Sequence, residues 1–127
     1  MKFEGKYRVK KAMIMIGNGF EYAQREALEA LGDEDYAQML KMVITIDEQA
    51  LRVFLKPTDA DMEFIKEEGL TLNEDGLVPL EEHEVVFEDG EWKYECGEED
   101  GEPNFMRLSK NEDGDVVYGD MMVLERL

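Results

Sequence analysis

Glu-Asp-Gly occurs four times in the second half of the chain, at Glu74-Asp75-Gly76, Glu88-Asp89-Gly90, Glu99-Asp100-Gly101 and Glu112-Asp113-Gly114. The Gly-to-Gly spacings of 14, 11 and 13 residues leave room for one strand between each turn and the next. Asp and Gly tolerate the positive φ angles that tight hairpin turns demand, and β-prone residues flank each pair. The rhythm predicts an antiparallel meander, with strands near Leu77 to Phe87, Trp92 to Cys96, Asn104 to Ser109 and Val116 to Glu125. Alternation supports them: Trp92, Tyr94 and Cys96 share one face against Lys93 and Glu95, and Met121, Val123 and Leu127 share a face interrupted by Glu125.

The first half adds three strands, which brings the total to about seven. Lys6 to Ile16 is the first, and its Lys10-Lys11 pair interrupts strict alternation in the way a bulge does. Met42 to Ile46 and Leu51 to Leu55 flank Asp47-Glu48-Gln49-Ala50, which suits a short hairpin loop. Between strands one and two, Phe20 to Leu31 carries a helical stripe of Phe20, Ala23, Ala27, Ala30 and Leu31, with Gly32 as a stop. Asp35 to Lys41 reads as a second short helix, making a helix-turn-helix segment over 20–41. A third helix, near 58–67, starts after Pro57 with Thr58 as cap and Met62, Phe64 and Ile65 as its apolar side before Gly69.

A meander of this many strands buries one face most cheaply by closing on itself, which also removes exposed edges. The expected fold is therefore mainly β, a small barrel of about seven to eight strands over a single domain, 1–127, with an open sheet under helices as the other solution. The opening Gly5-Lys6-Tyr7-Arg8-Val9 resembles the first strand of calycins, the lipocalin and fatty-acid-binding-protein superfamily, and Val123-Leu124-Glu125-Arg126-Leu127 resembles their last. Length and the helical pair after strand one are similar to fatty-acid-binding proteins. The order Phe54-Leu55-Lys56-Pro57, short acidic helix, Glu-Asp-Gly turn and Glu91-Trp92-Lys93-Tyr94 resembles acidic lipocalin-like proteins of Gram-positive gut bacteria, a likeness that implies a fold and no established activity. Fatty-acid-binding proteins hold the ligand carboxylate with an Arg-x-Tyr pair on the last strand. At the aligned positions this chain has Met122 and Leu124, so the resemblance implies a neutral or cationic apolar ligand in place of a buried carboxylate.

Charge narrows the partners. Of 127 residues, 32 are acidic and 14 basic, and the formal charge of -18 repels phosphate backbones and anionic lipid heads. Nucleic acid and membrane surfaces are not expected as partners; a basic protein is, through the runs Glu81-Glu82-His83-Glu84 and Glu98-Glu99-Asp100, unless these are simply solvated faces. The start of the chain lacks a signal-like apolar run and no stretch reaches the length of a membrane span, so a cytoplasmic location is expected.

Little in the sequence points to catalysis. His83, the single histidine, sits among Glu81, Glu82 and Glu84; Ser109, the single serine, has no nucleophile-elbow signature; Cys96, the single cysteine, has no activating cation nearby in sequence and excludes an internal disulfide. A zinc site would have to draw on His83, Cys96 and distant carboxylates, so neither a metal nor a cofactor is expected. Two stretches, 71–82 ending at Glu82 and 109–120 ending at Asp120, approach a calcium-binding loop. Both lack the first carboxylate and lead into β-prone residues, so hairpin turns explain them better.

What remains is a supply of adaptable apolar groups. Nine methionines suit either ordinary core filling or a pliable pocket wall, and Trp92 and Tyr94 on one strand face suit either packing or an aromatic wall with a phenolic handle. The leading expectation is non-catalytic binding of a small apolar ligand in a barrel cavity lined by Trp92, Tyr94, Met13 and Met121, with the helical segment near the entrance. The alternative is an acidic protein-interaction module of the same fold without a cavity.

Overall fold

The computed structural model of the chain describes residues 1–119 and 121–127. Strands hold 52% of it and helices 18%, so the fold is mainly β. In chain order the elements are β1 (Gly5–Ile16), β2 (Gly19–Gln24), α1 (Arg25–Ala30), α2 (Glu34–Leu40), β3 (Met42–Ile46), β4 (Ala50–Leu55), α3 (Asp59–Glu68), β5 (Val78–Glu88), β6 (Glu91–Glu99), β7 (Glu102–Arg107), β8 (Ser109–Lys110), β9 (Val116–Tyr118) and β10 (Met122–Arg126). The sheet runs β7-β6-β5-β4-β3-β1-β10-β9-β8, and β2 joins β1 off this path. No helix among the described residues is long and apolar enough to cross a membrane.

The two ends of the path belong to one segment of chain. β7 runs through Leu108 directly into β8, so that 102–110 pairs first with β6 and then with β9, and the antiparallel sheet curls into a nearly closed barrel of nine strands. Leu108 forms the corner: its amide donates to the Trp92 carbonyl at 2.8 Å, and its side chain is buried. Continuity of the chain thus covers edges that would otherwise stay open for pairing.

The two lysines of β1 do form a bulge, since pairing with β10 shifts register between Val9 and Lys11. Tyr7 and Val9 point inward before it, and Ala12 and Ile14 take over after it; all four belong to the core or pack against it. The remaining strands fill the barrel with Ile44, Ile46, Leu51, Val53, Val85, Val116 and Leu124. From the helical pair, Leu28 joins this core, and Tyr36, Met39 and Leu40 pack against it. α3 has the expected cap: the Thr58 hydroxyl accepts from the Asp61 amide at 3.3 Å, and the Asp61 carboxylate accepts from the Thr58 amide at 2.9 Å. Gly69, at φ 68°, ends it.

The structure differs from the sequence expectation in two places. The stretch from Phe20 to Gln24, expected to open a helix, is strand β2, and α1 begins only at Arg25. Gly17, at φ 58°, is the cause: with Asn18 on the negative side it makes a two-residue turn between Ile16 and Gly19 and folds the chain back onto β1. The expected last strand, 116–125, is divided into β9 and β10 by a turn in which the Met121 amide donates to the Tyr118 carbonyl. Asp120, which would close the second calcium-like stretch, lies outside the described residues.

The four Glu-Asp-Gly turns fall into two kinds, decided by the residue in front. After Phe87 and Glu98, Asp and Gly both adopt positive φ (Asp89 55°, Gly90 77°; Asp100 53°, Gly101 81°), which makes two-residue hairpins of the I′ kind. After Asn73 and Asn111 only the glycine does, and the Asn side chain carries the loop. Asn73 Oδ1 accepts from the amides of Asp75 and Leu77, and Asn111 Oδ1 from those of Asp113 and Asp115. The first of these loops leads from α3 into β5, so only three of the four turns join neighbouring strands.

Candidate functional site

Residues opposite one another in an antiparallel ladder face the same side of the sheet. Leu51 and Val53, both core residues, stand opposite His83 and Glu81. β5 therefore sends a histidine and a carboxylate toward the barrel interior at the positions that follow Val85 inward. The same rule takes Val85 to Tyr94, Tyr94 to Met106, and Met122 to Tyr118. One stretch of interior wall is thus built from Glu81, His83, Tyr94, Met106, Tyr118 and Met122.

Contacts tie this wall together across the barrel seam. Tyr118 of β9 stacks on Tyr94 of β6 with ring centroids 5.5 Å apart and planes at 13°, and His83 meets Tyr94 edge-on at 6.3 Å. The Tyr94 hydroxyl donates to Met106 Sδ at 3.5 Å and accepts from the Gly119 amide at 3.0 Å. His83 Nε2 lies 3.1 Å from Glu81 Oε2, at a point where the Glu81 side chain is 59% exposed and the His83 side chain 23%. Packed hydrocarbon gives way here to polar side chains and solvent while still on the inward face.

Tyr118 is the most perturbed group of the wall. Burial, before the fields of Tyr94, Glu81 and Cys96, pushes its phenol up to about 12, so it stays a neutral donor through the physiological range. Its hydroxyl makes no hydrogen bond among the described residues, which leaves a donor at the edge of the core. Cys96 is half-buried, and its thiol donates to the Asn104 carbonyl at 3.4 Å. None of these groups forms a nucleophile-base pair; the wall offers aromatic faces, a thioether, one phenol and an imidazole-carboxylate pair.

The residues singled out from sequence divide two and two. Tyr94 is buried at the centre of the wall, and Trp92, two positions along β6, packs against the core and against Phe87 at 4.9 Å. Met13 and Met121 lie elsewhere. The bulge at Lys10-Lys11 hands the inward row to Ala12 and Ile14, which turns Met13 to the outer face; its amide donates to the carbonyl of Met121, which is 58% exposed. His83, Glu81, Met106 and Tyr118 are not among the residues expected from sequence to line a pocket. Alternation back from Val85 would have placed His83 and Glu81 inward, and the acidic run around them hid that period.

Searches among protein-family models, curated proteins and solved structures find no match to this chain.

Proposed function

We propose that the protein binds a small, largely apolar molecule, without transforming it, at the end of the barrel walled by Tyr94, Tyr118, His83 and Met106. What carries this reading is the Tyr118 hydroxyl, without a hydrogen-bond partner among the described residues, on a stacked aromatic pair of the inward face where the wall becomes polar and reaches solvent. An apolar body would lie against the rings and the Met106 thioether, and Tyr118 would supply one directional hydrogen bond. The Glu81 carboxylate at the rim favours a neutral or cationic ligand over an anion. The resemblance of the chain's layout to calycins belongs to the same proposal.

The test is a fluorescence titration with N-phenyl-1-naphthylamine, a neutral apolar probe, on the native chain and on Tyr118→Ala and His83→Ala. Saturable binding that weakens in both variants supports the reading. Failure to bind the probe, or binding indifferent to both changes, rejects it.

A second reading is a protein-interaction module, and the β1–β2 hairpin favours it. Met15 and Phe20, opposite one another in the ladder, are 70% and 66% exposed, and β2 pairs with no strand but β1 among the described residues. On this reading the charge of -18 would steer a basic protein. Retention of such a partner at low salt and its loss at high salt, abolished by Phe20→Ser, would support it over ligand binding.

A further inference from the structure

In a chain this acidic, a place where cations gather with few acids among them calls for an explanation. An open groove of about 290 Å³ on the outer wall, where β1 and β3 meet the ends of the helical pair and the start of α3, is lined by Arg8, Arg25, Lys41 and Lys56, with Val43 and Pro57 as apolar lining. Two of the four cations are answered: Arg8 pairs with Glu125 at 2.9 Å and Lys41 with Asp61 at 2.8 Å. Arg25 and Lys56 have no carboxylate within ion-pair distance among the described residues.

Arg25 is built into place. Its two terminal nitrogens donate to the carbonyls of Val9 and Leu40, the latter at 2.9 Å, which fixes the guanidinium between β1 and α2 without neutralising it. Two of its five N–H groups are used, so others remain for a guest. Burial, then the neighbouring Arg8, lower its pKa, while Glu125, Glu26 and Glu29 raise it from a distance. A strut between strand and helix would account for the two carbonyl bonds alone. It would not account for Arg8 beside it or for Lys56 on the same groove, whose backbone amide is tied to the Lys41 carbonyl at 2.8 Å.

We propose that this groove binds a small organic anion, a carboxylate or phosphate head on a short apolar body, with the head received by Arg25 and Lys56 and the body lying over Val43 and Pro57. The site is separate from the barrel mouth and selects the opposite charge, so it stands or falls independently of that reading. A planar oxyanion matches the guanidinium fork, and the flexible Lys56 closes on it as a point charge.

Octanoate and octyl phosphate, each below its micellar concentration, would be titrated into 15N-labelled protein, with octanol and octylammonium as controls. The expected result is saturable shifts of the Val43, Lys56 and Thr58 amides with one or both anions and with neither control, the tighter anion identifying the head. Lys56→Glu, a change at an exposed side chain with no partner among the described residues, should weaken binding roughly tenfold, and added salt should weaken it in the native chain. Arg25→Gln should abolish it, and Lys56→Glu keeps the test decisive if that variant does not fold. Shifts as large with octanol, shifts confined to Tyr94 and Tyr118, or an unchanged affinity in Lys56→Glu would overturn the proposal.

Discussion

Tyr118 and Tyr94 come from strands on opposite sides of the barrel seam, yet their rings lie 5.5 Å apart and nearly parallel, and the Tyr94 hydroxyl accepts from the amide of Gly119, next to Tyr118. This pair both closes the barrel and forms the wall at which a ligand is proposed to sit. Stability and binding at this wall can be separated because the two hydroxyls do different things.

Tyr94→Phe keeps the ring and removes the acceptor, leaving the Gly119 amide without its tyrosine partner. A cost of about 1–3 kcal/mol is expected from a lost bond at a buried group, read as a shift in the urea midpoint with unchanged slope. Tyr118→Phe removes a hydroxyl that has no partner among the described residues, and should cost well under that while still weakening probe binding.

Alkaline titration should single out Tyr118. Its folded pKa of about 12 lies above the ordinary tyrosine value of 10.0, so the unfolded chain releases this proton first. The Tyr118 contribution is therefore flat below pH 10 and turns against the fold as pH rises from 10 to 12. Burial raises Tyr7 too, so the ultraviolet titration of Tyr118→Phe must be subtracted from that of the native chain to isolate the late step. A difference curve centred near the ordinary tyrosine value would contradict the described burial.

Much of the barrel was legible because turn chemistry is local. Asp89-Gly90 and Asp100-Gly101 declare two-residue hairpins without help from the rest of the chain, Thr58 declares a helix start, and Lys10-Lys11 announces a bulge. Harder to read was anything that depended on a partner strand. Phe20 to Gln24 has a passable helical stripe, and Gly17-Asn18 outweighs it only because β1 is long enough to receive the returning strand. Met13, expected as pocket lining, falls on the outer face because the extra residue of the Lys10-Lys11 bulge reverses every side chain after it. The wall of Glu81, His83 and Tyr118 comes from three strands, and no spacing in the sequence brings Tyr118 onto Tyr94.

Acid should unfasten α3 from Lys41. Asp61 is held down to about 2 by the hydrogen bond from Lys41 first and the Thr58 amide next, against an ordinary 3.8. A depressed carboxylate contributes stability above its unfolded value and loses it as pH falls from about 4 toward 2. Asp61→Asn should thus be less stable than the native chain by about 1 kcal/mol near neutrality, with the gap closing in that acid window, as followed by urea unfolding at stepped pH.

Gly101→Ala tests the hairpin reading. No atom lies within 4 Å of where the new methyl would point, and φ is 81°, so any loss is conformational and should be about 1 kcal/mol. A neutral result in thermal unfolding would contradict the I′ geometry.

The most direct test of the ligand site uses the methionines as reporters. With 13C in the methyl groups of the nine methionines, N-phenyl-1-naphthylamine should move Met106 and Met122, on the Tyr94 and Tyr118 wall, and leave Met13, Met15 and Met121 where they are. Saturable shifts in the first pair alone would place the ligand at the barrel mouth. Shifts in the outer three with Met106 and Met122 unmoved would put the apolar surface on the β1–β2 hairpin and contradict it.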